Sequence, residues 1–336
     1  MLSLSVLDQC PVPAGSTPSQ ALEASLDLAV AAEALGYRRY WAAEHHNTPS
    51  LASVSPEVLV AAVAARTRSI RVGSGGVLLS HYSPLKVAEN FRLLEALHPG
   101  RIDLGIGRTA GTDPVTEAAL QYRPDALGDE HFGQKVADLL AFLDGDLGRD
   151  HPYAGVTAVP PGPGGPEVWV LGSSSNGAAG AAYLGLPFAF GHFITAQFGP
   201  QIVKSYRKGF TASARLARPQ ASVAVSVVCA ETDGEAERLA TSAAVWRLRP
   251  EGSSRGPLLP PDEAARASLS EVDQAKVHQH RAGIVAGNPD RARRQLTDLA
   301  ATFGVEELVV VTVCHDPRAR LRSYELLAEA FELPRG

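Results

Sequence analysis

Eight times along the chain a short apolar run leads into a longer helical pattern. No other feature limits the fold as strongly. The runs are LSLSV (2–6), RRYWAA (38–43), IRVGSGGVLL (70–79), RIDLGIG (101–107), EVWVLG (167–172), LPFAFG (186–191), SVAVSVVCA (222–230) and ELVVVTV (307–313). Helical patterns follow them, the first closed by Gly36 and the third by Pro99 and Gly100. Strands that are apolar on both faces and alternate with helices form a parallel sheet covered by helices. Eight such units in 336 residues predict a closed TIM (β/α)8 barrel rather than an open doubly wound sheet.

Two segments interrupt the alternation. Residues 144–166 are rich in Gly and Pro, and residues 247–290 form a long polar, proline-rich insertion before a further helix at 289–303. The reading is therefore one barrel domain over 1–336, with the insertion at the carboxyl ends of the strands as a possible lid. The helical pattern at 56–67, PEVLVAAVAART, has almost no polar face. A barrel helix needs one apolar stripe, so this one calls for a cover on its outer side, and a homodimer supplies it most simply.

The net charge of −5 disfavours nucleic acid or an anionic membrane as partner. No apolar run reaches the length of a membrane span, and the start, MLSLSVLDQC, lacks the basic region of a signal peptide. Cys10, Cys229 and Cys314 are far apart and sit in or beside apolar runs. They read as buried free thiols, which suits a cytoplasmic protein.

The chemistry of a βα barrel lies at the carboxyl ends of its strands. There WAAEHHNTPS places His45 and His46 side by side after the second strand. Neighbours on an extended segment point in opposite directions, so the pair is no metal site; one imidazole should face the barrel mouth and the other its surroundings. Gly75 and Gly76 lie inside the third strand, where glycines mark either a bulge or the close approach of a ligand such as a flat ring. After the fifth strand, LGSSSNGAAGAA sets Ser173, Ser174, Ser175 and Asn176 at a helix start. That is more hydroxyl and amide than capping needs, and it suits a phosphate. Arg108, ending the neighbouring fourth strand, could close on the same phosphate, with Gly107 and Gly111 giving the backbone access. Tyr82, Phe190, His192 and Phe193 could line a pocket or support the core.

These residues carry a resemblance. LSVLDQ, YWAAEHHNTPS, IRVGSGGVLLSHYSPLKVAENFRLLEALHPGRIDLGIGRTAGTDP, VWVLGSSSNGAAGAAYLGLPFAFGHF and ELVVVTVCHDPRARLRSYELLAEAF resemble the bacterial luciferase-like flavin-dependent monooxygenases over nearly the whole chain. Within them the chain looks closest to a single-chain subgroup with members in aromatic polyketide pathways. The resemblance implies a barrel that takes reduced FMN from a separate flavin reductase. It implies a C4a-peroxide-type reaction with oxygen that oxidises a small organic, possibly aromatic or polyketide, substrate. It makes His45 the catalytic histidine. It assigns His46, Gly75 and Gly76 (as a cis peptide under the flavin ring), Arg108, Gly172, Ser173, Ser174 and Asn176 to the cofactor. It departs at Gly107, where luciferase has a reactive cysteine, at Gly172, in place of an acidic residue, and at Asn176, in place of a hydroxyl. These departures argue against light emission. An F420-dependent oxidoreductase on the same fold, a non-catalytic flavin-binding protein and an unrelated sugar-phosphate barrel are the alternative readings.

Overall fold

The computed structural model describes residues 2–108, 112–122, 131–162, 164–249, 252 and 255–335. Gly111 and four residues of the insertion, 250, 251, 253 and 254, therefore lie outside the described residues. In chain order the first half contains β1 (Ser3–Asp8), α1 (Pro18–Ala34), β2 (Arg39–Ala42), α2 (Pro56–Arg66), β3 (Arg71–Leu78), α3 (Pro84–Leu97), β4 (Ile102–Gly107), α4 (Pro114–Gln121) and α5 (Phe132–Asp144). The second half contains β5 (Glu167–Gly172), α6 (Ser175–Tyr183), β6 (Phe188–Gly191), α7 (Gly199–Lys208), β7 (Ala221–Cys229), α8 (Asp233–Trp246), α9 (Pro261–Ala265), α10 (Glu271–Ala282), β8 (Ile284–Gly287), α11 (Pro289–Phe303), β9 (Glu307–Val311) and α12 (Pro317–Ala330).

Eight parallel strands close into a barrel. β1 to β7 pair in sequence, β7 pairs with β9, and β9 returns to β1. Each of the eight apolar runs holds one barrel strand. The sequence did not show β8, which runs along the far end of β7 through Ser226–Cys229. Helices α4 and α10 also lie where irregular chain was expected. Neither buries a residue, so neither has the apolar stripe that marks a helix in sequence. Their starts are local instead: Asp113 accepts from the Val115 and Thr116 amides, and Ser270 from that of Asp273.

Alternate residues of each strand point into the barrel and stack in layers. The lowest layer is ionic. Arg39 is fully buried and donates to Glu307 at 2.8 Å, to Asp103 at 2.9 Å and to Glu167 at 3.3 Å. Arg71 adds a 2.5 Å bond to Asp103, and Ser5 a 2.6 Å bond to Glu307. Burial opposes the charge of Arg39, but the carboxylates of Asp103, Glu307 and Glu167 outweigh it and hold the guanidinium above its ordinary pKa. Two residues further along β2 and β5, Trp41 and Trp169 form the next layer. Their ring centroids are 5.4 Å apart, and their indole N–H groups bond Asp103 and Glu167 below. Outside the barrel, Leu4, Val6, Tyr40, Val72, Ile102 and Leu104 pack against the helices in one continuous core.

Among the described residues the outer face of α2 is partly open. Val58 is 67% exposed, and Val54, Leu93 and Leu97 are exposed with it. The three cysteines are free and buried. Among the described residues no helix is long and apolar enough to cross a membrane.

Removing one partner of a buried ion network leaves the others uncompensated, at a cost of roughly 3–5 kcal/mol. Arg39→Met is therefore expected to lose about that much stability in urea unfolding. Arg38→Met, at a half-exposed neighbour whose Nε lies 3.8 Å from Glu307, is expected to lose less than about 1 kcal/mol.

Candidate active site at the barrel mouth

Above the tryptophan layer the inward positions turn small: Ala43 on the loop after β2, Gly75 on β3, Gly107 on β4, Ala189 on β6 and Ala224 on β7. The space they leave is a cavity of about 290 Å³, open to solvent. His45, Gly75, Gly76, Gly172 and Ser173 all lie on its wall.

The peptide between Gly75 and Gly76 is cis, and the β3–β4 register shifts between Gly75 and Val77. Both glycines are dictated by space. A Cβ on Gly75 would come within 2.5 Å of Leu7 Cδ1 and 2.9 Å of Trp41 Cβ. One on Gly76 would come within 2.8 Å of the Gly105 carbonyl oxygen. The pair therefore presents bare backbone to the cavity.

The two histidines part. His45 is 7% exposed and lines the cavity, its backbone N–H donating to Ser53 O at 3.0 Å. His46 faces the surrounding shell. Its Nε2 is 2.7 Å from Glu44 Oε1, and its carbonyl accepts from Thr48 and Thr112. Asn47, at φ 50°, then turns the chain in the left-handed region, which asparagine tolerates well. Among the described residues no three His, Cys, Asp or Glu side chains are arranged to hold a metal ion.

Of the expected phosphate residues Arg108, Ser173, Ser174 and Asn176, the cavity wall takes in Ser173. Ser174 caps α6 by accepting from Gly177 N at 3.3 Å; Asn176 is exposed in the first turn of that helix. Arg108 directly follows Gly107 of the cavity wall, is half-buried, and its carbonyl accepts from Ser80 at 3.0 Å. Of the four residues set aside as pocket or core, Phe193 is on the wall. Phe190 and His192 pack on Phe303 of α11, and Tyr82 bonds Glu44 at 2.6 Å.

Sequence reasoning missed two things. One is Glu44, buried at 3% exposure on the cavity wall; its only sequence signal was an acid at the end of an apolar strand, directly before the histidines. The other is a second cavity, about 110 Å³ and open to solvent, beside the first. The two share Gln9, Phe193 and Ile194, and Trp246, Arg247, Arg255 and Ile284 bring the second under α8 and the insertion. Arg255 lies over the Trp246 ring at 4.7 Å, and Arg247 donates to the Phe193 carbonyl.

The luciferase-like monooxygenase family model matches residues 3–307. The chain belongs to that family. It is 44% identical to YceB of Bacillus subtilis over 98% of this chain and all of that one. It is 35% identical to the N-acetyl-S-alkylcysteine monooxygenase of the same organism over 98% of both. Among solved structures, apo-MsnO8 superposes with a TM-score of 0.91 at 44% identity, each chain covered in full. Membership of the luciferase-like monooxygenase family points to an oxidoreductase, built on the barrel that the eight sequence units required.

The glycine shelf gives a direct test. Gly76→Ala forces a Cβ against the backbone of the neighbouring strand and is expected to cost about 1–3 kcal/mol in urea unfolding. Gly172→Ala meets nothing within 4 Å, so its stability should stay within roughly 0.5 kcal/mol of the parent.

Proposed function

We propose that the chain is an FMN-dependent monooxygenase. It would accept reduced FMN from a separate flavin reductase and use oxygen to oxidise a small organic substrate. The observation that carries this reading is the side-chain-free Gly75–Gly76 backbone on the same cavity wall as His45, in a chain of this family. The residues fit the group. A planar ring system lies most closely on a surface without side chains, and a Cβ at either glycine has no room. Gly172, with open space around it, leaves the rim beside the helix start clear for a phosphate, which Arg108, Ser173, Ser174 and Asn176 would hold. Bound reduced FMN supplies the electrons for oxygen. His45 would hold or move a proton at the reacting edge, and His46 would orient the site from behind.

The organic substrate would occupy the adjoining cavity, separated from the first by Gln9, Phe193 and Ile194. Its mixed wall of Trp246, valines and two guanidiniums suits an apolar body with a polar end. Aromatic or polyketide compounds and thioethers are the classes to screen, the latter because a relative is named for N-acetyl-S-alkylcysteine. The insertion about 247–290 would act as the lid over this cavity. A second copy would cover the exposed Val54, Val58, Leu93 and Leu97.

Two variants test the reading. Arg108→Ala should weaken FMN at least about tenfold and leave riboflavin nearly unchanged, since a charge-assisted bond is worth about 1.5–3 kcal/mol and only FMN carries the phosphate. Equal loss for both would remove Arg108 from a phosphate site. His45→Ala should keep its melting curve yet form far less product per oxygen consumed, releasing hydrogen peroxide instead, because positioned proton transfer is worth roughly 10²–10⁴ in rate. A hydride transfer from reduced F420 that proceeds without oxygen would replace this reading with the F420-dependent one.

A further inference from the structure

Glu44 is a carboxylate closed off from solvent, and three elements converge on it. Oε2 accepts the backbone N–H of Leu78, at the end of β3, at 2.9 Å. Oε1 accepts the hydroxyl of Tyr82 at 2.6 Å and lies 2.7 Å from His46 Nε2. An ionised carboxylate only accepts, so the proton of the His46 contact belongs to the imidazole. Tyr82 OH is 3.3 Å from the same nitrogen, but both groups donate to Oε1, which explains why the oxygen contacts are the shorter ones. Leu78 lies two residues beyond Gly76 and lines the same cavity. The His81 ring, from the turn after β3, stands edge-on to His46 with centroids 6.2 Å apart.

We infer that Glu44 is a positioning residue that locks His46 with its proton on Nε2 and ties the histidine turn to the glycine shelf through the Leu78 N–H. The tie to flavin chemistry rests on the larger cavity being the flavin site; the lock on His46 does not. The arrangement needs a carboxylate rather than any polar group of that size. An amide has one acceptor oxygen and one NH₂, whereas donors approach both ends of Glu44. Whichever way glutamine turns, its NH₂ meets a donor: either the Leu78 N–H, or Tyr82 and His46 together. The cis peptide and the EHH turn then lose their common anchor, although nothing that touches a ligand's phosphate has changed.

The experiment uses the full chain labelled with ¹⁵N-histidine, without flavin. His46 is identified among the 10 histidines by the resonance lost in His46→Gln. At pH 8, above the ordinary imidazole range, the parent should show His46 protonated on Nε2. Glu44→Gln should show loss of that single tautomer. Oxidised FMN and riboflavin, titrated by flavin fluorescence, should both weaken by about tenfold in Glu44→Gln, because a buried donor left without its acceptor costs on that order and the phosphate is not involved. An Nδ1-protonated His46 in the parent overturns the inference, and that measurement needs no variant to fold. A variant with the parent's tautomer, or one with the tautomer lost and flavin affinity unchanged, overturns it equally. If the parent binds neither flavin, the reading of the cavity fails, and the tautomer measurements alone decide the role of Glu44.

Discussion

The guanidinium of Arg39 is the interaction on which the rest of this barrel is stacked. A charge at the centre of a barrel is tolerable only with partners on several sides. Here they come from β4, β5 and β9, so one side chain fixes the relative height of four strands. The Nη2 amino group of the guanidinium finds no acceptor among the described residues. It belongs to a group that lies 4.7 Å from the Trp169 ring, so a π face takes the place of an oxygen there. Because inward positions recur every second residue, this layer dictates what stands above it. Arg39 is followed by Trp41 and Glu167 by Trp169, and the indoles return their N–H groups to the acids below. The floor of the cavity is therefore held from beneath by hydrogen bonds as well as by packing.

The same parity explains the glycines. Gly73 pairs with Asp103 and Gly75 with Gly105, so β3 carries no side chain on the inside at either level. A Cβ on Gly73 would come within 2.3 Å of the Asp103 carbonyl oxygen, and one on Gly105 within 2.2 Å of the Ser74 carbonyl oxygen. The run VGSGG is thus shaped from below by the ionic layer and from the side by β4. It opens toward the cavity only at its upper end. Part of its glycine content is structural, and only the Gly75–Gly76 step faces a ligand-sized space.

What the sequence made legible follows from how local each signal is. The eight strands were visible because each is a contiguous apolar run, and the closed barrel followed from their number. The Arg39 layer was not visible, since its bonds span 64, 128 and 268 residues and nothing near Arg39 in RRYWAA points to them. Helices α4 and α10 escaped because a helix that buries nothing leaves no apolar period. At the site, the residues marked by type and place, His45, Gly75, Gly76, Gly172 and Ser173, come together on one wall. Glu44 escaped because its meaning depends on Leu78 and Tyr82, which reach it from 34 and 38 residues away.

The two cavities differ in how this construction walls them. The larger one is walled by strand ends whose spacing the ionic and tryptophan layers fix, so its shape is a property of the barrel itself. The smaller one shares three residues of that wall and adds Ser226, Val227 and Val228 of β7 and Val311 of β9, but α8, the insertion and β8, a strand the barrel does not need for closure, supply Trp246, Arg247, Arg255 and Ile284. Changes in Trp246, Arg247, Arg255 or Ile284 alter the second space without touching the glycine shelf. Changes in the shelf disturb β3 and β4 together. Loops carried on a rigid scaffold are where binding varies most readily. Under the proposed function the cofactor would lie on the part fixed by the barrel, and the substrate beside it, against the insertion. The shared residues, Gln9, Phe193 and Ile194, are then the only places in the described structure where the two requirements have to be met by the same side chains.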